Sequence, residues 1–325
     1  MTQIHPFQNR IEYRGAIELV MAKVCSDYGL GCYVSHSAID AGYEDFNIIL
    51  KTDRGEFFVK IFASFRNDEN CRRYVDIITK ALDAGVKHPR LYESGAGYLY
   101  CSTESGVAVR LIVMERVKGR TFLELGIMPT PEEMRFFVKQ AALINQMPLK
   151  PAFIYDSWAN VNFLKEFEKI KEHLDREDLF LLEPIAKIFA KFSITELPHC
   201  FVHGDILKTN TMKADDGKLY VLDFSVSNYY PRIQELAVIL CNLLFDEKNL
   251  SSFPANYELA MDEYQKHISL TVFELKSLPF FVKLAHAMHV IGATEQKATS
   301  EPPPENDYWL NLGRVGLKYA VGLWR

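Results

Sequence analysis

Two short motifs decide the interpretation of this sequence: Phe201-Val-His-Gly-Asp-Ile-Leu-Lys-Thr-Asn210 and Leu219-Tyr-Val-Leu-Asp-Phe224. Asp205 and Asn210 lie five residues apart in a predicted loop after a short apolar strand, and Asp223 ends a second apolar strand eighteen residues beyond Asp205. Carboxylate and amide oxygens are ligands that Mg²⁺ takes together with phosphate oxygens. A carboxylate that binds no metal can accept a proton from a hydroxyl nucleophile. This combination is typical of phosphoryl transfer, which depends mainly on positioning and charge neutralisation.

The same motifs carry a resemblance to a known family. His203-Gly-Asp205, four residues, Asn210 and then Leu222-Asp-Phe224 resemble the aminoglycoside phosphotransferase/choline kinase-like superfamily. The branch with type II homoserine kinases, methylthioribose kinases and aminoglycoside kinases is the most similar. The resemblance implies a protein-kinase-like two-lobed fold over nearly the whole chain. It also implies Asp205 as the catalytic base, Asn210 and Asp223 as nucleotide-bound Mg²⁺ ligands, and His203 as a loop-organising residue.

The distribution of predicted elements agrees with an α+β fold. Two strand hairpins (46–51 with 56–62, and 97–103 with 107–114) and two helices (14–28 and 68–84) are predicted in the first third of the chain. After Met114 long helical patterns dominate, with one strand-rich patch at 200–224. We therefore expect a small N-terminal lobe with an antiparallel sheet (1–114), a hinge (115–119) and a large helical C-terminal lobe (120–325).

Lys60 is the candidate nucleotide anchor of the N-terminal lobe. It lies in the predicted strand Phe57-Phe-Val-Lys-Ile-Phe62, where alternation puts it on one face with Phe58 and Phe62. A lysine among aromatic side chains is costly to bury unless an anion meets it. The resemblance implies that this anion is a nucleotide phosphate and that a helix carboxylate holds the lysine.

Three carboxylates of the following helix are candidates for that partner. Glu69 opens the helix and is the first choice as a cofactor-binding residue, Asp76 is its rival, and Asp68 is a third alternative.

Two further segments are assigned from the resemblance. Tyr43-Glu-Asp-Phe-Asn47 resembles the turn that stands where protein kinases have a glycine-rich loop. Leu111-Ile-Val-Met-Glu-Arg-Val117 resembles the inter-lobe hinge, in which backbone groups of Glu115 and Val117 would meet the adenine edge. Backbone recognition has no side-chain signature, so ATP and GTP are not distinguished.

Composition excludes several other classes of protein. The 325 residues are 48% hydrophobic, and the net charge of -5 argues against a nucleic-acid-binding protein. The six cysteines are scattered without metal-ligand spacing and are interpreted as reduced packing thiols. The sequence shows neither a signal peptide nor a membrane span, which predicts a cytoplasmic protein without a membrane partner.

Four other residues are notable. Two interpretations are possible for Lys208 and for the histidines His286 and His289, and Glu235 is given a structural role. Lys208 is either a phosphate contact or a solvated lysine. His286 and His289 are three residues apart and either touch the substrate or are core or surface histidines. Glu235, in the helix after the second motif, is predicted to tie loops together.

The sequence thus predicts an ATP- and Mg²⁺-dependent kinase that transfers the γ-phosphoryl group to a hydroxyl of a small molecule. The candidate acceptors are homoserine or another amino alcohol, a sugar and an aminoglycoside. The alternative is a non-catalytic nucleotide-binding regulator of the same fold. A protein kinase fits poorly, because His-Arg-Asp and Ala-Pro-Glu motifs are missing and few residues separate Asp223 from Pro231.

Overall fold

The computed structural model describes residues 6–39, 44–104, 106–299, 303 and 305–324. The chain divides into two units, residues 1–83 with 88–118 and residues 84–87 with 119–325. Residues 84–87 belong to the second unit because the Lys87 N–H donates to the Gln140 side chain, and the Lys87 carbonyl accepts from the Val221 N–H. No helix of the described residues is long and apolar enough to cross a membrane.

The first unit is an antiparallel five-stranded sheet with two helices. The strand order is β1-β2-β3-β5-β4. Both predicted hairpins are present, and the predicted helices are observed with slightly shorter bounds. The elements are α1 (Ile17–Asp27), β1 (Tyr33–Ile39), β2 (Phe46–Thr52), β3 (Gly55–Ile61), α2 (Asp68–Asp83), β4 (Tyr100–Glu104) and β5 (Val107–Glu115).

The alternation of β3 positions Lys60. Phe57, Val59 and Ile61 join a buried apolar cluster that includes Val20 and Val24 of α1. Since successive side chains of a strand point to opposite faces, Lys60 lies on the face away from α1. Lys60 is directly opposite Asn47 of β2 in the antiparallel ladder.

The second unit is mainly helical and carries two small antiparallel sheets, β6-β8-β9 and β7-β10. Its long helix α9 packs against α10 and α7. The elements are β6 (Gly119–Thr121), α3 (Phe122–Leu125), α4 (Pro131–Asn145), α5 (Phe163–Ile170), α6 (Arg176–Phe189), β7 (His199–Val202), β8 (Thr211–Ala214), β9 (Leu219–Val221), β10 (Asn228–Pro231), α7 (Ile233–Cys241), α8 (Phe253–Gln265), α9 (Val272–Thr299) and α10 (Asn306–Leu323).

Candidate active site

The loop between β7 and β8 carries the first motif and is shaped by a glycine and a histidine. Gly204 has a φ of +82°, in the left-handed region that glycine adopts without strain. The buried His203 ring accepts from the Asp205 N–H at Nδ1 (3.2 Å). Its Nε2 lies 3.1 Å from the Leu222 carbonyl, a contact that the tautomer protonated on Nε2 satisfies. His203 therefore links this loop to the second motif.

The carboxylate of Glu235, in α7, hydrogen-bonds to the backbone of the same loop. It accepts the backbone N–H groups of His203 (2.5 Å) and Gly204 (3.3 Å), and the Asn145 side-chain amide at 3.3 Å. Burial raises the pKa of Glu235 to about 7, although these donors act in the opposite direction. Glu235 therefore ties the loop to α7 and α4, as the sequence predicts.

Asn210 and Asp223 are brought together by the pairing of their segments. The Leu222 N–H donates to the Asn210 carbonyl at 2.8 Å, next to the β8–β9 ladder. The Asn210 side-chain amide donates to Asp205 Oδ2 at 2.5 Å and to the Asp205 carbonyl at 3.1 Å. Asp223 has a φ of +62°, in the left-handed region that residues other than glycine rarely adopt. The residues that do adopt such conformations cluster at functional sites. All three predicted residues of the motifs thus belong to one constellation.

The electrostatic environment of Asp205 raises the pKa of its carboxyl group. Burial raises its pKa well above the ordinary value, and the negative charges of Asp156, Asp223 and Glu235 raise it further. The hydrogen bond from Asn210 acts in the opposite direction. A carboxylate with a raised pKa binds a proton more readily, which suits general-base catalysis.

Asp156 is a site residue that the sequence did not predict. It is buried, and it lies near enough to Asp205 for its charge to have a larger effect on the Asp205 pKa than the charge of Asp223 has. The loop that carries Asp156 is held by the Asn228 side chain, which hydrogen-bonds to both the N–H and the carbonyl of Ile154. Ala159, in the same loop, packs against Val202 of β7. Asp156 has no motif spacing to Asp205, so only this packing reveals the proximity.

The predicted pairing of Lys60 with a helix carboxylate is wrong. Lys60 forms an ion pair with Asp45 instead, with 3.3 Å between Nζ and Oδ2. Glu69 is exposed on the first turn of α2, Asp76 is also exposed, and Asp68 pairs with Arg110. The inward face of α2 presents Tyr74, whose ring centre lies 5.1 Å from Lys60 Nζ.

The turn before β2 is only partly described. Tyr43 lies outside the described residues. Asp45 contacts Lys60 and the Arg66 guanidinium, and Glu44 also pairs with Arg66. The resemblance places this segment near nucleotide phosphates, yet its described acidic side chains contact cations of the first unit.

Of the two predicted hinge residues, Glu115 ends β5, and Val117 lies in the segment between β5 and β6. The Glu115 N–H donates to the Arg90 carbonyl at 2.8 Å, and the Val117 carbonyl accepts from the Arg116 guanidinium at 2.5 Å. Val117 is buried. Their contact with adenine stays a prediction.

Both predicted interpretations of Lys208 are wrong, because its side chain turns into the helical core. Nζ lies 3.1 Å from the Phe245 carbonyl and 3.3 Å from the Tyr308 hydroxyl, and burial lowers its pKa. The Lys208 N–H also donates to the Asn242 side chain. Lys208 therefore anchors the motif loop rather than meeting a phosphate or solvent.

Comparison with known proteins agrees with this geometry. The sequence model of the phosphotransferase enzyme family (APH) matches residues 35–266. The chain belongs to this family. It is 21% identical over 291 residues to the homoserine kinase of Parvibaculum lavamentivorans (strain DS-1), which covers 85% of this chain and 84% of that protein.

Solved structures of other kinases show the same fold. An amicoumacin kinase in complex with AMP-PNP and Ca²⁺ has a TM-score of 0.66 at 15% identity, covering 97% of this chain and 96% of its own. A microcompartment-associated aminopropanol kinase has a TM-score of 0.68 at 11% identity, covering 94% and 97%. The predicted protein-kinase-like α+β fold is therefore confirmed, and the chain is a small-molecule kinase.

The two histidines of the kinase that could have touched substrate are core residues. His286 packs against Phe245 with 4.8 Å between ring centres, and His289 packs against Trp309 at 5.5 Å. Burial lowers the pKa of His289 to about 4 and that of His286 well below its ordinary value. Both are expected to be neutral and to stabilise the packing of α9 against α10 and against the segment that follows α7.

Proposed function

We propose that this kinase transfers the γ-phosphoryl group of Mg²⁺-bound ATP to a hydroxyl group of a small amino alcohol. One observation carries the proposal: a half-buried Asp205 is oriented by Asn210 and lies near enough to Asp223 and Asp156 for their charges to act on it. In phosphoryl transfer one carboxylate accepts the proton of the attacking hydroxyl, and others neutralise or hold cations.

Asp205 is the proposed base. Its Oδ2 accepts the Asn210 amide, so Oδ1 is the oxygen that would take the hydroxyl proton. As the oxygen–phosphorus bond to the acceptor forms, the bond from the γ-phosphorus to the leaving nucleotide oxygen breaks, and the proton stays on Asp205. The raised pKa favours this transfer, because a more basic carboxylate binds the proton more strongly.

Asn210 and Asp223 fit a hard divalent cation. Since the Asn210 amide nitrogen is engaged by Asp205, the amide oxygen is left as a metal ligand, and the Asp223 carboxylate is adjacent through the pairing of Leu222 with Asn210. When bound, Mg²⁺ would neutralise negative charge on the phosphates. No group of three or more His, Cys, Asp or Glu side chains within the described ranges forms a metal site of its own.

Residues of the first unit would bind the nucleotide. Lys60 is a buried cation on β3, suited to phosphate oxygens. Backbone groups of Glu115 and Val117 are proposed to meet the adenine edge. The alternative, a non-catalytic regulator of the same fold, is supported by the sequence only through the lack of a plain glutamate partner for Lys60 in the following helix. Lys60 pairs with Asp45, which removes this support.

The preference for an amino alcohol depends on charge. Asp156 and Asp205 place two carboxylates near each other, and a positive group on the acceptor would be attracted to them. The relatives include a homoserine kinase and an aminopropanol kinase, whose names describe amino alcohols. Sugars and aminoglycosides are the other candidate acceptors.

A thermal-shift experiment tests the nucleotide and metal roles. AMP-PNP is expected to raise the melting temperature of the wild-type protein much more with Mg²⁺ than with EDTA, because a ligand stabilises the folded state that binds it. Asp223→Ala should abolish most of this Mg²⁺-dependent increment. An increment of unchanged size in the variant would contradict the metal assignment.

The activity itself is tested by a phospho-product screen. Amino alcohols, sugars and aminoglycosides are incubated with Mg²⁺ and ATP, and phosphorylated products are identified by mass spectrometry. We expect an amino alcohol to be phosphorylated fastest, and a preference for neutral sugars would contradict the assigned acceptor class.

A further inference from the structure

Helix α2 does not provide the carboxylate that holds Lys60. Its acidic residues Asp68, Glu69, Asp76 and Asp83 are exposed, because the apolar stripe of the helix faces inward. The residue of α2 that contacts Lys60 is Tyr74, whose ring centre lies 5.1 Å from Lys60 Nζ. An aromatic ring stabilises a nearby cation but does not neutralise its charge.

Four groups contact Asp45. Its Oδ2 lies 3.3 Å from Lys60 Nζ, and its Oδ1 accepts the Arg66 Nε–H at 3.0 Å. Oδ1 also accepts the Ala63 N–H at 2.9 Å, and the Asp45 carbonyl accepts from the Arg10 guanidinium at 3.0 Å. Because the Asp45 side chain is 4% exposed, these contacts are protected from competing water.

Two buried cations contact the carboxylate of Asp45. Lys60 and Arg66, with 6% and 9% side-chain exposure, lie on its two oxygens. Arg66 also pairs with Glu44, whose side chain is 53% exposed, so water screens the charge of Glu44.

We propose that Asp45 is the positioning residue of Lys60, taking the place of a helix carboxylate and sharing its charge with Arg66. The inference rests on the proposed function, in which Lys60 binds nucleotide phosphates. Asp45 fixes the ammonium group in one place before the nucleotide binds. Without Asp45, Lys60 and Arg66 would lose the carboxylate that both contact, and the position of the Lys60 ammonium group would be less well defined.

Isothermal titration with AMP-PNP and Mg²⁺ tests the proposal without any acceptor. We expect Asp45→Asn to weaken AMP-PNP binding by roughly ten-fold or more and to leave adenosine binding unchanged, because adenosine has no phosphate. Asp45→Glu keeps the charge and should recover most of the affinity. Glu104→Gln is the matched control, since Glu104 also forms a 3.3 Å ion pair with a lysine, Lys23, at an exposed position.

A double-mutant cycle separates positioning from a merely structural role. If Asp45 acts through Lys60, then Asp45→Asn added to Lys60→Ala causes no further loss of AMP-PNP affinity. A full additional loss in that background, or wild-type affinity in Asp45→Asn, would overturn the proposal. Equal weakening by Asp45→Glu and Asp45→Asn would also overturn it. Failure of the wild-type protein to bind AMP-PNP contradicts the proposed function instead.

Discussion

The two units differ in the sign of the charged groups that surround their candidate site residues. In the first unit the buried cations Lys60 and Arg66 contact a buried carboxylate, Asp45, at 3.3 and 3.0 Å. In the second unit carboxylates gather around Asp205, and their charges together with burial raise its pKa. The first arrangement fixes a positive charge in advance, as an anion-binding group requires. The second concentrates negative charge, which favours a base and attracts cations.

The largest effect is expected where negative charge is concentrated. Asp205→Asn keeps the shape and hydrogen bonding of the side chain but removes its basic oxygen. The rate constant should fall by about 10²–10⁴-fold, the usual contribution of general-base catalysis. AMP-PNP affinity in the presence of Mg²⁺ should change little, because Asp205 is not a proposed metal ligand.

Single-turnover kinetics and titration of the same variant check this prediction. Asp215→Asn, in the exposed turn between β8 and β9, serves as the control. Loss of nucleotide binding in Asp205→Asn together with intact binding in Asp223→Asn would show that the two assigned roles are reversed.

Glu235 extends the comparison to stability. Its pKa is raised from 4.5 to about 7 in the folded protein, so its contribution to stability is full below pH 4.5 and is lost as pH rises through 7. Glu235→Gln removes this titration. Relative to the variant, the wild-type free energy of unfolding should decrease by roughly 3 kcal/mol between pH 4.5 and pH 8.

Urea unfolding at a series of pH values measures the difference. The exposed Glu258→Gln on α8 is the control and should follow the wild-type curve. Parallel curves for the wild type and Glu235→Gln would show that Glu235 does not titrate in this range.

Lys60→Ala tests the cation of the first unit. Turnover should fall roughly ten-fold or more, because the group facing the nucleotide phosphates is lost. The fold should survive, since Arg66 and the Ala63 N–H still hold Asp45. Steady-state kinetics and thermal melting are compared with Lys51→Ala, at an exposed position of β2. Wild-type turnover would remove Lys60 from the site.

The smallest effect is expected at Asp156. Asp156→Asn should raise the KM for an amino alcohol by about five-fold, because one attractive charge is lost. The KM for the diol of the same carbon skeleton should stay unchanged. Initial-rate kinetics with aminopropanol and propanediol measure both values, and equal changes for the two acceptors would contradict a charge-specific role.

The sequence by itself determined the residues whose position depends on local structure. Strand alternation put Lys60 on one face of its strand with Phe58 and Phe62, and the spacing of the two motifs indicated Asp205, Asn210 and Asp223. Local backbone geometry acts over a few residues, so these predictions needed no knowledge of distant packing.

Tertiary structure decided the partners. Asp45 reaches Lys60 because β2 and β3 pair, Asp156 approaches Asp205 because its loop packs on β7, and Lys208 turns inward toward Phe245. These contacts join residues far apart in the chain, and several competing carboxylates satisfied the same sequence pattern. The packing of α2 shows that its acidic face points to solvent, and Lys60 therefore forms its ion pair with Asp45.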